Sequence, residues 1–251
     1  MQTAPLVPAI WELPEKIRKR LGRSVGRQRL ISEDEHHLIV AHSVPSANQD
    51  TRQGVLFWRN ERGEWKASNG DPGAIAIANL LEKYEKRLEE MENAEMHAVR
   101  AVDYLPILEG LAPIARSSSN FLAVLREAHK ALGEESDLLD HRERAYDVAR
   151  TAELAYQYAK DSMDVAVAKR TEEQTEVSRK MAEASHRLNT MAALFFPIAT
   201  LSGIFGTTFT EDWSWSNYPL AFLAFVAIGL LAGVGLAGYV SATKVENPLS
   251  N

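Results

Sequence analysis

The chain has 251 residues, a formal charge of −6 and no cysteine, which excludes disulfides and thiolate metal sites. The negative balance argues against nucleic acid as a partner, because phosphate backbones are held by positive faces. Mean hydropathy is negative although two long apolar runs lie near the C-terminus, so the remainder is strongly polar.

The opening MQTAPLVPAIWELPEKIRKR has no apolar core of signal-peptide length, so residues 1–187 are expected to stay on the cytoplasmic side. Residues 1–70 read as a small α/β segment. HHLIVAH (36–42) and GVLFWRN (54–60) have strand character, and the second turns through Glu61-Arg62-Gly63 into EWKAS as a hairpin. His36, His37 and His42 are assigned to solvent-facing strand positions, since no carboxylate or cysteine pattern completes a site around them. Gly22 and Gly26 lie in a basic segment without the flanking strand and helix of a phosphate loop. No enzyme and no cofactor are expected, and no metal-ligand set is assigned.

Residues 71–187 read as a helical stalk domain. Asp71-Pro72 marks a helix start with Asp as N-cap. The helix is predicted over about 72–103, with Ile75, Ile77, Leu80, Leu81, Tyr84 and Leu88 on its apolar face. Pro106, Gly110 and Pro113 read as breaks before a second helix over about 113–132 that stops at Gly133. Beyond Gly133 neither proline nor glycine occurs until Pro197. Apolar residues recur roughly every 3.5 positions there, which predicts one helix from about 135 to near Gly206. The acidic stretch Glu89–Glu95 and the carboxylates Asp137, Asp140 and Asp147 read as a solvated helical face, with regulatory cation binding between subunits as the alternative.

Residues 188–243 are predicted as a two-helix transmembrane domain, followed by a cytoplasmic tail over 244–251. A spanning helix takes about 20 apolar residues, and the charge-free intervals 188–210 and 213–243 are each long enough. Arg179, Lys180 and Arg187 precede the first run, Lys244 follows the second, and Glu211 and Asp212 lie between them. The excess of positive charge outside the pair places both termini in the cytoplasm. Trp213, Trp215 and Tyr218 suit the outer aromatic belt, and Gly229 and Gly233 have the G-x-x-x-G spacing that lets helices approach closely. The expected fold class is a mainly α membrane protein, with a small α/β N-terminal segment and a long stalk helix continuing into the first of two C-terminal transmembrane helices.

FFPIATLSGIFGTTF (195–209), with Pro197, Gly203, Phe205-Gly206 and Phe209, and Tyr218-Pro219 beyond it, resembles the membrane end of the CorA family of divalent-cation channels. The likeness is specific over 188–240 and architectural over 72–187. It implies a homopentamer in the cell membrane that conducts Mg²⁺ or a similar divalent ion, with the first span around the pore and the bilayer, the cation and further copies of the chain as partners. It also implies that Leu188, Ala192, Phe196, Ala199 and Gly203 face the pore axis; the same row suits tight helix packing equally well.

The family's Gly-Met-Asn signature is Gly206-Thr207-Thr208 here. The threonine hydroxyl can bond to coordinated water but lacks the amide's carbonyl and paired donors. Glu211 and Asp212 would either concentrate cations at the mouth or form an ordinary solvated loop. Because the signature is altered, a CorA-derived effector or ligand-gated pore that is no dedicated Mg²⁺ transporter is the alternative function. A two-span anchor with a coiled coil is the third.

Overall fold

A short helix α1 (Glu15–Leu21), four strands and two helices build the first part of the fold. The strands are β1 (Arg29–Glu33), β2 (His36–His42), β3 (Gly54–Arg59) and β4 (Trp65–Ala67), paired antiparallel in the order β1-β2-β3-β4. The helices are α2 (Gly73–Met96) and α3 (Ala101–Leu132), followed by α4 (Leu138–Phe205) and α5 (Pro219–Ala242). The computed structural model describes residues 7–22, 24–46, 53–133, 138–205 and 219–242. The chain divides into two units, Met1–Lys169 and Arg170–Asn251, and α4 contributes to both.

Alternation along the strands explains why the sheet carries a core on each face. Leu38, Val40, Leu56 and Trp58 pack with Trp11, Ile17 and Leu21 of the α1 side. Their neighbours Ile39, Ala41, Val55 and Phe57 pack into the core formed with α2, α3 and the first part of α4. This is the period of two that sends successive side chains to opposite faces. The predicted strands over 36–42 and 54–60 and the hairpin into Trp65 are therefore present. α1 and β1 were not foreseen. β1 joins β2 through Asp34-Glu35, with Asp34 at φ 51°, a left-handed turn position that Asp tolerates without the usual glycine signal.

Two of the strand histidines do not face solvent as predicted. His37 and His42 are buried, at 8% and 5% exposure. His37 Nδ1 lies 3.0 Å from Ser32 Oγ, and desolvation pushes its pKa below the usual value. His42 belongs to a buried polar chain. The Gln28 amide donates to the Ser117 carbonyl at 2.8 Å, and the His42 N–H donates to Gln28 Oε1 at 3.3 Å. Tyr84 Oη lies 2.7 Å from Ser117 Oγ and donates to the His42 carbonyl at 3.3 Å. Burial pushes the Tyr84 phenol up to about 12. These bonds tie the sheet to α2 and α3 through groups that could not stay buried unpaired. Ser117→Ala is expected to cost about 1–3 kcal/mol, because the Ser117 hydroxyl that it removes bonds the Gln28 amide at 3.2 Å and the Tyr84 hydroxyl at 2.7 Å. Urea unfolding of the variant checks this.

The helices also begin and end elsewhere than predicted. α2 starts at Gly73 with Pro72 before it and no side-chain cap, so Asp71 is not the N-cap. α2 stops at Met96, and α3 starts at Ala101 and continues through Pro106, Gly110 and Pro113. The start of α3 is fixed by Asp103. Its carboxylate accepts from the Arg100 backbone N–H at 2.8 Å and from the Arg100 guanidinium at 3.0 Å. That charged bond holds Asp103 down at about 2. Each internal proline removes a helix hydrogen bond, but burial of Tyr104, Ile107, Leu111, Ile114, Phe121 and Leu125 along one face holds the helix continuous. Gly110 is a close approach: a Cβ there would meet Met91 Sδ at 2.8 Å.

α4 is the single long helix predicted beyond Gly133. Leu138, Ala145, Val148, Ala152, Ala155 and Ala159 bury one stripe in the core of the first unit, at steps of three, four and seven. Arg144 clamps Glu85 of α2 with two bonds of 2.6 Å.

The membrane expectation is overturned. Among the described residues, no helix is long and apolar enough to cross a membrane. The two runs were counted over 188–210 and 213–243, whereas the described helical parts cover only 188–205 and 219–242. The described fold is mainly α with a small N-terminal sheet, and the two-span hairpin is not part of it.

Candidate functional site on the C-terminal unit

Within the second unit, the end of α4 and α5 pack antiparallel through two glycines. A Cβ on Gly233 would lie 2.7 Å from the Leu194 carbonyl oxygen and 3.3 Å from Leu194 Cα. A Cβ on Gly229 would lie 3.2 Å from Ile198 Cγ1 and 3.6 Å from Leu201 Cδ1. The G-x-x-x-G spacing therefore works as sequence analysis supposed, letting α5 seat against the α4 backbone. The α4 residues that receive it, Leu194, Ile198 and Leu201, were not singled out in the sequence. Their i, i+4, i+7 spacing is the signal that could have found them.

The row Leu188, Ala192, Phe196, Ala199 and Gly203 stands on the opposite side of α4. All five residues are exposed; Leu188 and Phe196 are 67% and 70% accessible. Nothing lies within 4 Å of a Cβ built on Gly203. The structure thus separates two faces of one helix, with Ala193, Leu194, Ile198 and Leu201 turned inward and the predicted row turned outward. Pro197 lies inside the helix, and the Thr200 hydroxyl donates to the Phe196 carbonyl at 2.9 Å.

Gly206, Thr207, Thr208, Glu211 and Asp212 lie outside the described residues, as do Trp213, Trp215 and Tyr218. Among the described residues, no group of three or more His, Asp or Glu side chains is placed to hold a metal ion. Of the acidic residues considered as a cation face, Glu90 pairs with Arg87 at 2.7 Å, and Glu95 accepts from the Ser162 hydroxyl at 3.3 Å.

The fold can be placed among solved structures. It matches the cytoplasmic domain of ZntB from Vibrio parahaemolyticus with a TM-score of 0.51 and 12% identity, over 64% of this chain and 80% of that one. It matches full-length CmaX with a TM-score of 0.53 and 12% identity, over 94% of this chain and 81% of that one. The fold is that shared with the ZntB cytoplasmic domain and CmaX. The CorA magnesium transporter of Methanocaldococcus jannaschii is also similar, over 90% of this chain and 85% of that one. Its TM-score of 0.38 and 14% identity carry no weight of their own. No protein-family model matches the sequence, and no curated protein does. At such identities these matches establish the fold alone; transport of magnesium belongs to the neighbour that bears that name.

Proposed function

We propose that this chain acts in divalent-cation transport at the cell membrane, as a homo-oligomer and with no enzymatic activity. The observation that carries the proposal is the CorA/ZntB-type fold, matched over 94% of the chain in CmaX. The outward row on α4 supports it, because a continuous apolar face left exposed on one copy is the kind of surface that further copies bury. Five copies, as the resemblance to the CorA family implies, would bring Leu188, Ala192, Phe196, Ala199 and Gly203 together around one axis. Attachment to the bilayer is ascribed to the exposed apolar side chains of the C-terminal unit, Phe195, Leu223 and Leu231 among them.

Thr208 is assigned the cation-facing position and Glu211 and Asp212 the electrostatic attraction of cations. Mg²⁺ is the leading candidate for the ion, since a hydroxyl acts on a hydrated ion through its water shell and Mg²⁺ gives up water reluctantly. No cofactor besides the cation is invoked.

Vesicles carrying the purified chain and a trapped divalent-ion indicator test the assignment. Uptake of Mg²⁺, Co²⁺, Ni²⁺ or Zn²⁺ down a gradient is expected, and Thr208→Asn is expected to change the order of preference among them. Flux without any change in Thr208→Asn would remove Thr208 from the cation path.

A further inference from the structure

The first unit holds a cleft that the transport assignment does not use. Its volume is about 660 Å³, within the range of roughly 300–1,000 Å³ usual for small-molecule sites. One wall is the backbone leaving β2 and entering β3, with Ser43, Ser46 and Gln53, and the other is the middle of α2. Val55 and Leu80, both buried, contribute an apolar surface.

The charge on the α2 wall is the informative feature. Lys83, Lys86 and Arg87 line the cleft, and among the described lining residues Glu90 is the one carboxylate. Positions 83, 86 and 87 fall on one helical face, so three cations converge on the same space. Arg87 is neutralised by Glu90 at 2.7 Å. Lys83 and Lys86 are exposed and have no ion pair among the described residues. Two unpaired like charges one turn apart repel each other. An anion between them converts that repulsion into attraction, and in a chain of net charge −6 this concentration of cations is local.

We infer that the cleft between the β2–β3 strand ends and α2 is a binding site for a phosphorylated small molecule of nucleotide size. Lys83 and Lys86 hold the phosphate groups. Arg87 can exchange Glu90 for a phosphate oxygen pair, which its planar fork fits in two-point contact. The Val55–Leu80 surface takes the uncharged body of the ligand, and Ser46 and Gln53 offer polar contacts at the rim. Such binding is independent of whether the chain moves cations, so the two are tested separately.

The experiment is calorimetric titration of the full chain with ATP in the presence of EDTA, and with pyrophosphate, adenosine and citrate as companions. ATP is expected to bind, pyrophosphate more weakly, and adenosine not measurably, with ATP affinity falling steeply as salt rises. The variant Lys83→Glu/Lys86→Glu is expected to weaken ATP at least tenfold, while the same charge change at Lys130 and Lys160 of α3 and α4 leaves it within about twofold. The milder Lys83→Gln/Lys86→Gln is expected to weaken ATP as well, and it serves if charge reversal disturbs folding. Absence of ATP binding, equal affinity in the Lys83/Lys86 variants, or citrate binding as tightly as ATP would each overturn the inference.

Discussion

Gly73→Ala is expected to unfold the packing of α2 on the sheet, with a loss of about 3 kcal/mol or more. Gly73 opens α2 where it leaves β4, and the chain on either side is pinned by the bridge between Lys66 and Pro72. A Cβ at this position would lie 1.6 Å from the Trp65 carbonyl oxygen, 2.1 Å from its carbonyl carbon and 2.7 Å from the Lys66 nitrogen. All three are backbone atoms, so no rotamer change relieves the overlap and the strand must part from the helix. That separation would expose Phe57, Ala76, Ile77 and Leu80, which are buried together in the core. Urea unfolding followed by circular dichroism reads the effect, as a fall in the midpoint of Gly73→Ala. A midpoint equal to that of the unsubstituted chain would show that β4 and α2 are not in this contact.

Gly233→Ala is expected to loosen α5 from α4, whereas Gly235→Ala, two residues along the same helix, is expected to be neutral or mildly stabilising. The two substitutions carry the same change in helix propensity, about 0.5–1 kcal/mol in favour of alanine. They differ only in surroundings. The Gly233 Cβ would press on the Leu194 carbonyl oxygen at 2.7 Å and on Leu194 Cα at 3.3 Å, while a Cβ on Gly235 meets nothing within 4 Å. Overpacking of this kind costs about 1–3 kcal/mol. Amide hydrogen exchange along α5 reports such local opening. Exchange about tenfold faster in Gly233→Ala than in Gly235→Ala is the expected outcome. Equal rates would show that the glycine spacing plays no part in seating α5.

These two glycines also mark what the sequence could and could not disclose. The Gly229–Gly233 spacing was legible because it is a local pattern with a steric meaning. The clash at Gly73 was not, since Trp65 approaches it only after β4 has folded back. Strands β2 to β4 and the long α4 were legible for the same local reason: alternation in the first case, an absence of proline and glycine in the second. Where tertiary packing decided, local reading failed. Pro106 and Pro113 looked like breaks, yet the buried face running from Tyr104 to Ala128 carries α3 through both. His37 and His42 looked like surface positions because strand alternation was not extended to two covered faces; both faces of this sheet bear a core.

The candidate site divides along the same line. The outward row from Leu188 to Gly203 followed from helical spacing, and the structure leaves that face of α4 exposed. The reading of 188–243 as a spanning hairpin did not survive, since among the described residues no helix is long and apolar enough to cross. The uncharged runs extend past the described helices, which end at Phe205 and begin again at Pro219. The basic cleft beside α2 has no signature in the sequence. Lys83, Lys86 and Arg87 lie in a sequence of mixed charge, and only the fold sets them against Ser43 and Gln53.

Divalent-cation flux into vesicles is the measurement that bears most directly on the central claim. The purified full-length chain is incorporated into vesicles containing a metal-responsive dye, and Mg²⁺, Co²⁺, Ni²⁺ and Zn²⁺ are offered in turn against protein-free vesicles. The account predicts entry of at least one of these ions, driven by its gradient and dependent on the chain. Vesicles that carry the folded chain and admit none of the four would contradict it.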